Sequence, residues 1–293
     1  MENRNTEATA FELIVGCSLV IAALVITALI VRLITTAVPL SEQMVVPSVQ
    51  AQGAPKTLVA VFAHADDEGA AAPILARYAR ERANVYVILA TDGAQGGAHT
   101  SVPRGAELAR VRSEEARCAS DALGIHPPIL LGFPDAQLGS YLEDRARLAR
   151  LTALVQEELQ RLQPDALITW GPDGATGHPD HRIVSSIVTQ LVRAGAPGAP
   201  ERLFYVTLPA DAVRAMRPGQ GDGYLMPSPK YFSARIAFSS SDFDAARRSM
   251  ACHKTQYPDE VVERVSAATR DALKGELALM PWLPAAVTTD LFR

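Results

Sequence analysis

Cysteine is scarce in this chain: 293 residues carry three, Cys17, Cys118 and Cys252. They are too few and too widely spaced for a disulfide framework or a cysteine-based zinc site. Cys17 falls in an apolar run, so at most one bridge is open to the other two. The expectation is a pair of core thiols that do not reveal the compartment. Clustered positive charge is lacking as well. The 28 Lys and Arg are scattered against 32 Asp and Glu, for a net charge of -4, which argues against a nucleic-acid backbone as partner. A small molecule fits this balance better. No stretch repeats, which sets aside solenoids and propellers.

What the chain does have is enough apolar residues for a substantial core, 48% of the total, and one long uncharged run. From Leu13 to Val31 no residue is charged, and a helix of this length at ~1.5 Å per residue nearly crosses a ~30 Å hydrocarbon layer. The run shows no polar face at a helical period, so it reads as a single transmembrane helix over 13–34, after a tail of 1–12. A cleavable leader is the competing reading, with Thr35-Thr36-Ala37 as its cleavage site, and it would leave the protein secreted or periplasmic. A leader's apolar core is usually shorter, which favours an uncleaved single-pass anchor. Arg4 on one side and Arg32 on the other leave the side of the catalytic domain open. Residues 35–56, with three prolines, read as a linker, and 57–293 as the folded domain.

Within that domain short apolar runs alternate with segments of helical period. Strands are expected at Thr57 to Phe62, Val85 to Ala90, Ile129 to Phe133, Ala166 to Trp170 and Leu203 to Leu208. Between them helices are expected at Gly69 to Glu81, Arg104 to Leu123, Glu143 to Leu162 and Pro179 to Arg193. This order predicts an α/β, Rossmann-like fold: a mostly parallel sheet with helices on both faces. A late strand at Tyr231 to Phe238 and helices at Asp242 to His253, capped by Ser241 or Asp242, and at Val261 to Leu279 complete a C-terminal extension.

Two clusters carry chemistry. Ala63-His64-Ala65-Asp66-Asp67-Glu68 follows the first strand, and Gly177-His178-Pro179-Asp180-His181 follows the fourth. Acidic residues at a helix start satisfy the dipole, which would explain the first cluster by itself. With Pro179 opening a helix, His178 and His181 lie three apart on nearly one face. Both clusters sit at the C-terminal ends of expected parallel strands, the edge at which open α/β sheets bind ligands. Two histidines and a carboxylate with a position left open form the donor set of a catalytic zinc site.

These clusters, with Thr91-Asp92-Gly93 and Leu131-Gly132-Phe133-Pro134-Asp135 between them, resemble the PIG-L/LmbE-like family of zinc-dependent N-acetylglucosaminyl deacetylases, from about Thr57 to Gln256. The resemblance implies that His64, Asp67 and His181 hold Zn2+, with Fe2+ as another divalent metal for the same set. It implies Asp66 as general base, His178 as the electrophile or acid that steadies the oxyanion and protonates the departing amine, and Asp180 as orienting or tuning a catalytic partner. Arg112 would hold a sugar hydroxyl or phosphate, unless it is an exposed helical residue paired with Glu115. Asp92 would meet sugar hydroxyls, unless it only forms an Asp-Gly turn. His253 resembles a supporting element, and Glu68 is open between a helix cap and a brace. The chain departs from the family at Ala65, where proline is usual, at Ala94, where glutamate is frequent, and near Thr176, where a tyrosine is frequent.

The implied reaction is hydrolysis of an N-acetyl group from an N-acetylglucosamine-containing conjugate, with the anchor suggesting a lipid-linked or envelope substrate. Two other classes compete. A nucleotide-binding protein would cradle phosphate on Gly93-Ala94-Gln95-Gly96-Gly97, although this is not the Gly-x-Gly-x-x-Gly pattern. An inactive membrane-tethered carbohydrate-binding module would need a broken donor set.

Overall fold

The computed structural model describes residues 54–97, 99–175, 177–207, 228–283 and 287–293. The expected tail and anchor, and the linker up to residue 53, fall outside them. Among the described residues no helix is long and apolar enough to cross a membrane. Residues from Ala54 to Arg293 form one compact unit.

Seven strands make one sheet in the order β3-β2-β1-β4-β5-β7-β6. β1 (Thr57–Phe62), β2 (Asn84–Thr91), β3 (Ile129–Phe133), β4 (Ala166–Trp170) and β5 (Leu203–Val206) are parallel. β7 (Glu276–Pro281) runs antiparallel to β5 and to the edge strand β6 (Ala234–Ala237). Every residue of β1 and β4 is buried, as befits central strands covered on both faces, and this explains their unbroken apolar sequences.

Six α-helices are described: α1 (Ala72–Arg80), α2 (Ala106–Leu123), α3 (Arg145–Leu162), α4 (Pro179–Arg193), α5 (Ser240–Cys252) and α6 (Asp259–Leu273). The alternation along β1 divides the core. Leu58, Ala60 and Phe62 pack towards α1, α2 and α5, while Val59 and Val61 pack towards α3 and α4. Strand order reverses between β1 and β4, so the chain leaves both strands towards one crevice. That crevice is the topological switch point of the sheet, and both chemical clusters lie at it.

Four local expectations change. The helix foreseen from Gly69 is a 3-10 turn, Asp67–Ala70, followed by α1, because Pro73 favours a fresh helix start at Ala72. The helix foreseen from Val261 to Leu279 ends at Leu273. Lys274 and Gly275 take positive φ of 50° and 85°, and the alternating burial of Glu276–Pro281 is that of a strand with one buried face. The cap of α5 is Ser239, which forms a capping box with Asp242. Finally, Cys118 and Cys252 are joined in a disulfide with a Cα–Cα distance of 5.7 Å, tying α2 to the end of α5. Bridging residues 134 apart in sequence, the pairing depends on tertiary contact that spacing does not reveal.

Candidate metal centre and active site

His64 leaves the end of β1 and His181 stands in the first turn of α4, which follows β4. Their Nδ1 and Nε2 atoms approach to 3.1 Å. Asp67 closes the triangle, with Oδ1 3.2 Å from His181 Nε2 and Oδ2 3.6 Å from His64 Nδ1. Atoms bound tetrahedrally at ~2.0 to 2.2 Å from one zinc ion lie roughly 3.3 to 3.6 Å apart, so these contacts fall at or just inside the spacing that a divalent cation would set.

The atoms behind this triangle fix its orientation. His64 Nε2 faces Asp135 Oδ1 at 3.1 Å and Asp180 Oδ2 at 3.3 Å, so its proton sits there and Nδ1 keeps its lone pair. His181 Nδ1 donates to the Gly174 carbonyl at 3.1 Å, freeing Nε2. Asp67 Oδ2 accepts from the Ala63 and His64 amides and from Trp170 Nε1, which leaves Oδ1 for a cation. Gly174 takes φ of 70°, and a Cβ there would lie 2.9 Å from the His178 carbonyl; the turn delivering His181 therefore needs glycine.

With no cation in the triangle, the same carboxylates favour a proton on His64. Burial disfavours a charged His64, yet hydrogen bonds to Asp135, Asp180 and Asp67 outweigh it and hold the ring well above its ordinary pKa. Burial alone would raise Asp135, but His64, the Gln95 amide and Arg112 bring its carboxyl below the usual range. Carboxylates so crowded around two imidazoles form a natural cation site. Asp135, which sequence reasoning placed in a motif without giving it a task, also accepts from the Gln95 and Gly96 amides at 2.9 and 3.0 Å. It thus ties the loop after β2 to His64. Asp180, 1% exposed, divides its oxygens between His64 and the Leu138 amide, so the partner it orients is His64.

Asp66 adopts φ of 102°, a conformation that L residues rarely take. Its amide donates to Glu68 Oε2 at 3.0 Å, and Glu68 Oε1 meets His253 Nε2 at 2.6 Å. Glu68 is therefore a brace rather than a helix cap, and His253 supports it from the C-terminal region. Burial would lower the His253 pKa, but the charge and hydrogen bond of Glu68 raise it. The Asp66 carboxylate accepts from Arg112 Nη2 at 3.2 Å and from the Tyr257 hydroxyl at 3.0 Å. Burial lifts its pKa despite Arg112, and burial with Asp66 beside it lifts the Tyr257 phenol well above normal. Tyr257 was not foreseen; Tyr257-Pro258 carries no motif, and only the fold brings it to Asp66.

Arg112 is 2% exposed, which excludes the exposed pair with Glu115. Its nitrogens reach the carbonyls of Gly93, Gly96 and Ala65 and the Asp66 carboxylate, so it stands behind Asp66, at the cavity wall. A Cβ at Gly96 would fall 2.1 Å from Arg112 Nη1, which is why this loop is glycine-rich. Glu115 instead accepts from the Thr255 amide and hydroxyl, both at 2.7 Å. Asp92 Oδ1 accepts from the Ala94 and Asp135 amides, the contacts of an Asp-Gly turn. With the amides of Ala94, Gln95 and Gly96 bonded to Asp92 and Asp135, this loop offers no phosphate cradle.

His178 caps α4, its Nδ1 accepting from the Asp180 amide at 3.2 Å. An amide can only donate, so the neutral ring carries its proton on Nε2. Burial and the neighbouring His64 and His181 lower its pKa, favouring that neutral form. Half-buried at the cavity, His178 brings a ring nitrogen within 4.8 Å of ring nitrogens of His64 and His181, so it stands beside the triangle as a further candidate donor.

Residues 59–192 match the family described as GlcNAc-PI de-N-acetylase, PIG-L. The 1D-myo-inositol 2-acetamido-2-deoxy-alpha-D-glucopyranoside deacetylase of Corynebacterium urealyticum is 28% identical over 240 residues, covering 69% of this chain and 71% of that protein. Among solved structures, N,N'-diacetylchitobiose deacetylase from Pyrococcus horikoshii shares the fold with a TM-score of 0.58 at 16% identity, over 77% of this chain and 83% of that one. So does GalB, the 4-carboxy-2-hydroxymuconate hydratase of Pseudomonas putida, with a TM-score of 0.55 at 17% identity, over 80% and 99%. The segment that builds the His64–Asp67–His181 triangle thus matches a PIG-L family domain.

Proposed function

We propose that this protein is a metal-dependent hydrolase that removes the N-acetyl group from an N-acetylglucosamine-containing conjugate. A hydratase on the same fold means that architecture alone does not choose the reaction. The observation that carries the reading is the convergence of His64, Asp67 and His181 on one point, with Asp66 and His178 free of that triangle at the same cavity. Zn2+, or Fe2+ in its place, would supply a Lewis acid for the acetamide carbonyl and lower the pKa of a water molecule.

The chain's residues account for the protons. Asp66, its pKa raised by burial, accepts a proton from the attacking water, while Arg112 and Tyr257 hold the carboxylate in place. His178 donates from Nε2 to the oxyanion as the carbonyl becomes tetrahedral. The C–N bond then breaks, acetate leaves, and the proton taken by Asp66 passes to the departing amine. Asp180 and Asp135 keep His64 in its required tautomer throughout.

The membrane anchor over 13–34 stands as part of this proposal, with 57–293 as catalytic domain and a lipid-linked amino sugar as substrate class. The Cys118–Cys252 disulfide favours the oxidising side of the membrane for the domain. The test is metal analysis of the full chain with deacetylation of the methyl glycoside of N-acetylglucosamine. One bound divalent ion and release of acetate are expected; a chain that stays metal-free in zinc-containing buffer would remove the basis of the proposal.

A further inference from the structure

Three side chains of α2, each three residues from the last, reach Asp66 and the segment that tethers it. Arg112 bonds the Asp66 carboxylate, Glu115 accepts from the Thr255 amide and hydroxyl, and Cys118 is joined to Cys252. Residues at this spacing line one face of a helix, so they form a ladder from the cavity to the surface. Arg112 is 2% exposed and Glu115 7%, while Cys118 is open to solvent. Cys252, half-buried, is the last residue of α5, and His253, which bonds Glu68, follows it directly. From there to Tyr257 the chain makes one turn, closed on the His253 carbonyl by the Gln256 and Tyr257 amides at 2.9 and 2.8 Å. The turn docks on three carboxylates, those of Glu68, Glu115 and Asp66, and is anchored at its start by the disulfide. Of these ties only the disulfide can be broken by a thiol, and it is the one at the surface.

We propose that Cys118–Cys252 is a thiol-exchange site, whose opening by a low-molecular-weight thiol slows turnover by loosening the turn 253–257 from Asp66. A thiolate attacks the exposed Cys118 sulfur, the S–S bond breaks, and Cys252 leaves as a thiolate that takes up a proton. A second thiol attacks the mixed disulfide, freeing Cys118 as a thiol and releasing the reductant as its own disulfide. Two small thiols are thus oxidised as one protein disulfide is reduced, and the reverse exchange restores the bridge. His64, Asp67 and His181 hang from the strand ends, so metal binding persists in both states. The proposal rests on the deacetylase reading for the task of Asp66, but the mechanical coupling does not.

The test equilibrates the zinc-loaded full chain in glutathione buffers of graded reduced-to-oxidised ratio, then removes the thiol and assays the methyl glycoside of N-acetylglucosamine without oxygen. Mass spectrometry of the bridged peptide gives the fraction open. As the bridge opens, kcat is expected to fall roughly 10-fold, short of the ~10²-fold that a 1 Å misplacement can cost, because Glu115 still holds Thr255. Metal content should not change, and oxidised glutathione should restore the rate. Cys118→Ser should start at the low rate and not respond. In Tyr257→Phe, where the tether is already cut, opening should cost less than about 2-fold more. Amide exchange should quicken in 253–257 and 66–68 but not in β4 or α4. A bridge that glutathione does not open, a rate unchanged on opening, zinc lost with the rate, a full second loss in Tyr257→Phe, or exchange quickened throughout the domain would overturn the proposal. If no acetate is released even with the bridge closed, the deacetylase reading fails, while exchange quickened only in 253–257 and 66–68 upholds the coupling.

Discussion

The His64–Asp67–His181 triangle and the Asp66 carboxylate beside it are held by different parts of the molecule. His64, Asp67 and His181 hang from the ends of two adjacent parallel strands, and their orienting partners Asp135, Asp180, Trp170 and Gly174 come from the same sheet edge. Asp66 is next to Asp67 in sequence, yet its conformation is maintained through Glu68 by His253, and its carboxylate by Tyr257, 191 residues away. Metal affinity should therefore depend on the strand ends alone, and turnover on the strand ends and the segment 253–257 together.

The most severe break is His181→Ala, expected to lose both bound metal and activity, read by metal analysis alongside acetate release. Asp66→Asn should instead keep the metal and lose roughly 10²- to 10⁴-fold in kcat, the usual worth of a general base; full activity in this variant would refute its assignment. Tyr257→Phe sharpens the contrast, with a loss of roughly 10- to 100-fold in kcat at unchanged metal content. Opening the disulfide in Cys118→Ser should lower stability by roughly 2 to 4 kcal/mol in thermal or denaturant unfolding, again without loss of metal from the folded protein.

Smallest and most dependent on conditions is Asp242→Asn. Asp242 is buried, and although burial raises its pKa, Arg80 and Ser239 bring it to about 2. A depressed carboxyl stabilises the fold above its unfolded pKa and ceases to as pH falls through the folded value. The wild type should therefore lead the variant by roughly 2 kcal/mol at neutral pH, and the lead should shrink between about pH 4 and pH 2. A constant difference across that window would assign the effect to packing.

The same division explains what could be seen in the sequence. His64, Asp67, His178 and His181 come from short segments that each follow an apolar strand, so the strand pattern sufficed to bring them to one edge. Tyr257 and Asp135 act through contacts that no local spacing encodes, and Cys118 with Cys252 look like two separate core residues until α2 and α5 pack together. Arg112 was visible as a residue but not in its surroundings. A charged side chain in an 18-residue helix reads as exposed, while here it is buried against the carbonyls of a glycine loop. β7 was missed because Val261 to Leu279 keeps an apolar period across the Lys274-Gly275 stop.

The span between Asp66 and Tyr257 also sets an order of assembly. A chain growing from its N-terminus completes β1, β4 and the first turn of α4 while the segment 253–257 is still unmade. Contacts this distant in sequence close late, because the loop they must shut is long. The nascent domain thus brings His64, Asp67 and His181 together before it acquires the tethers of Asp66, and the surroundings of that carboxylate wait for the last fifth of the polypeptide.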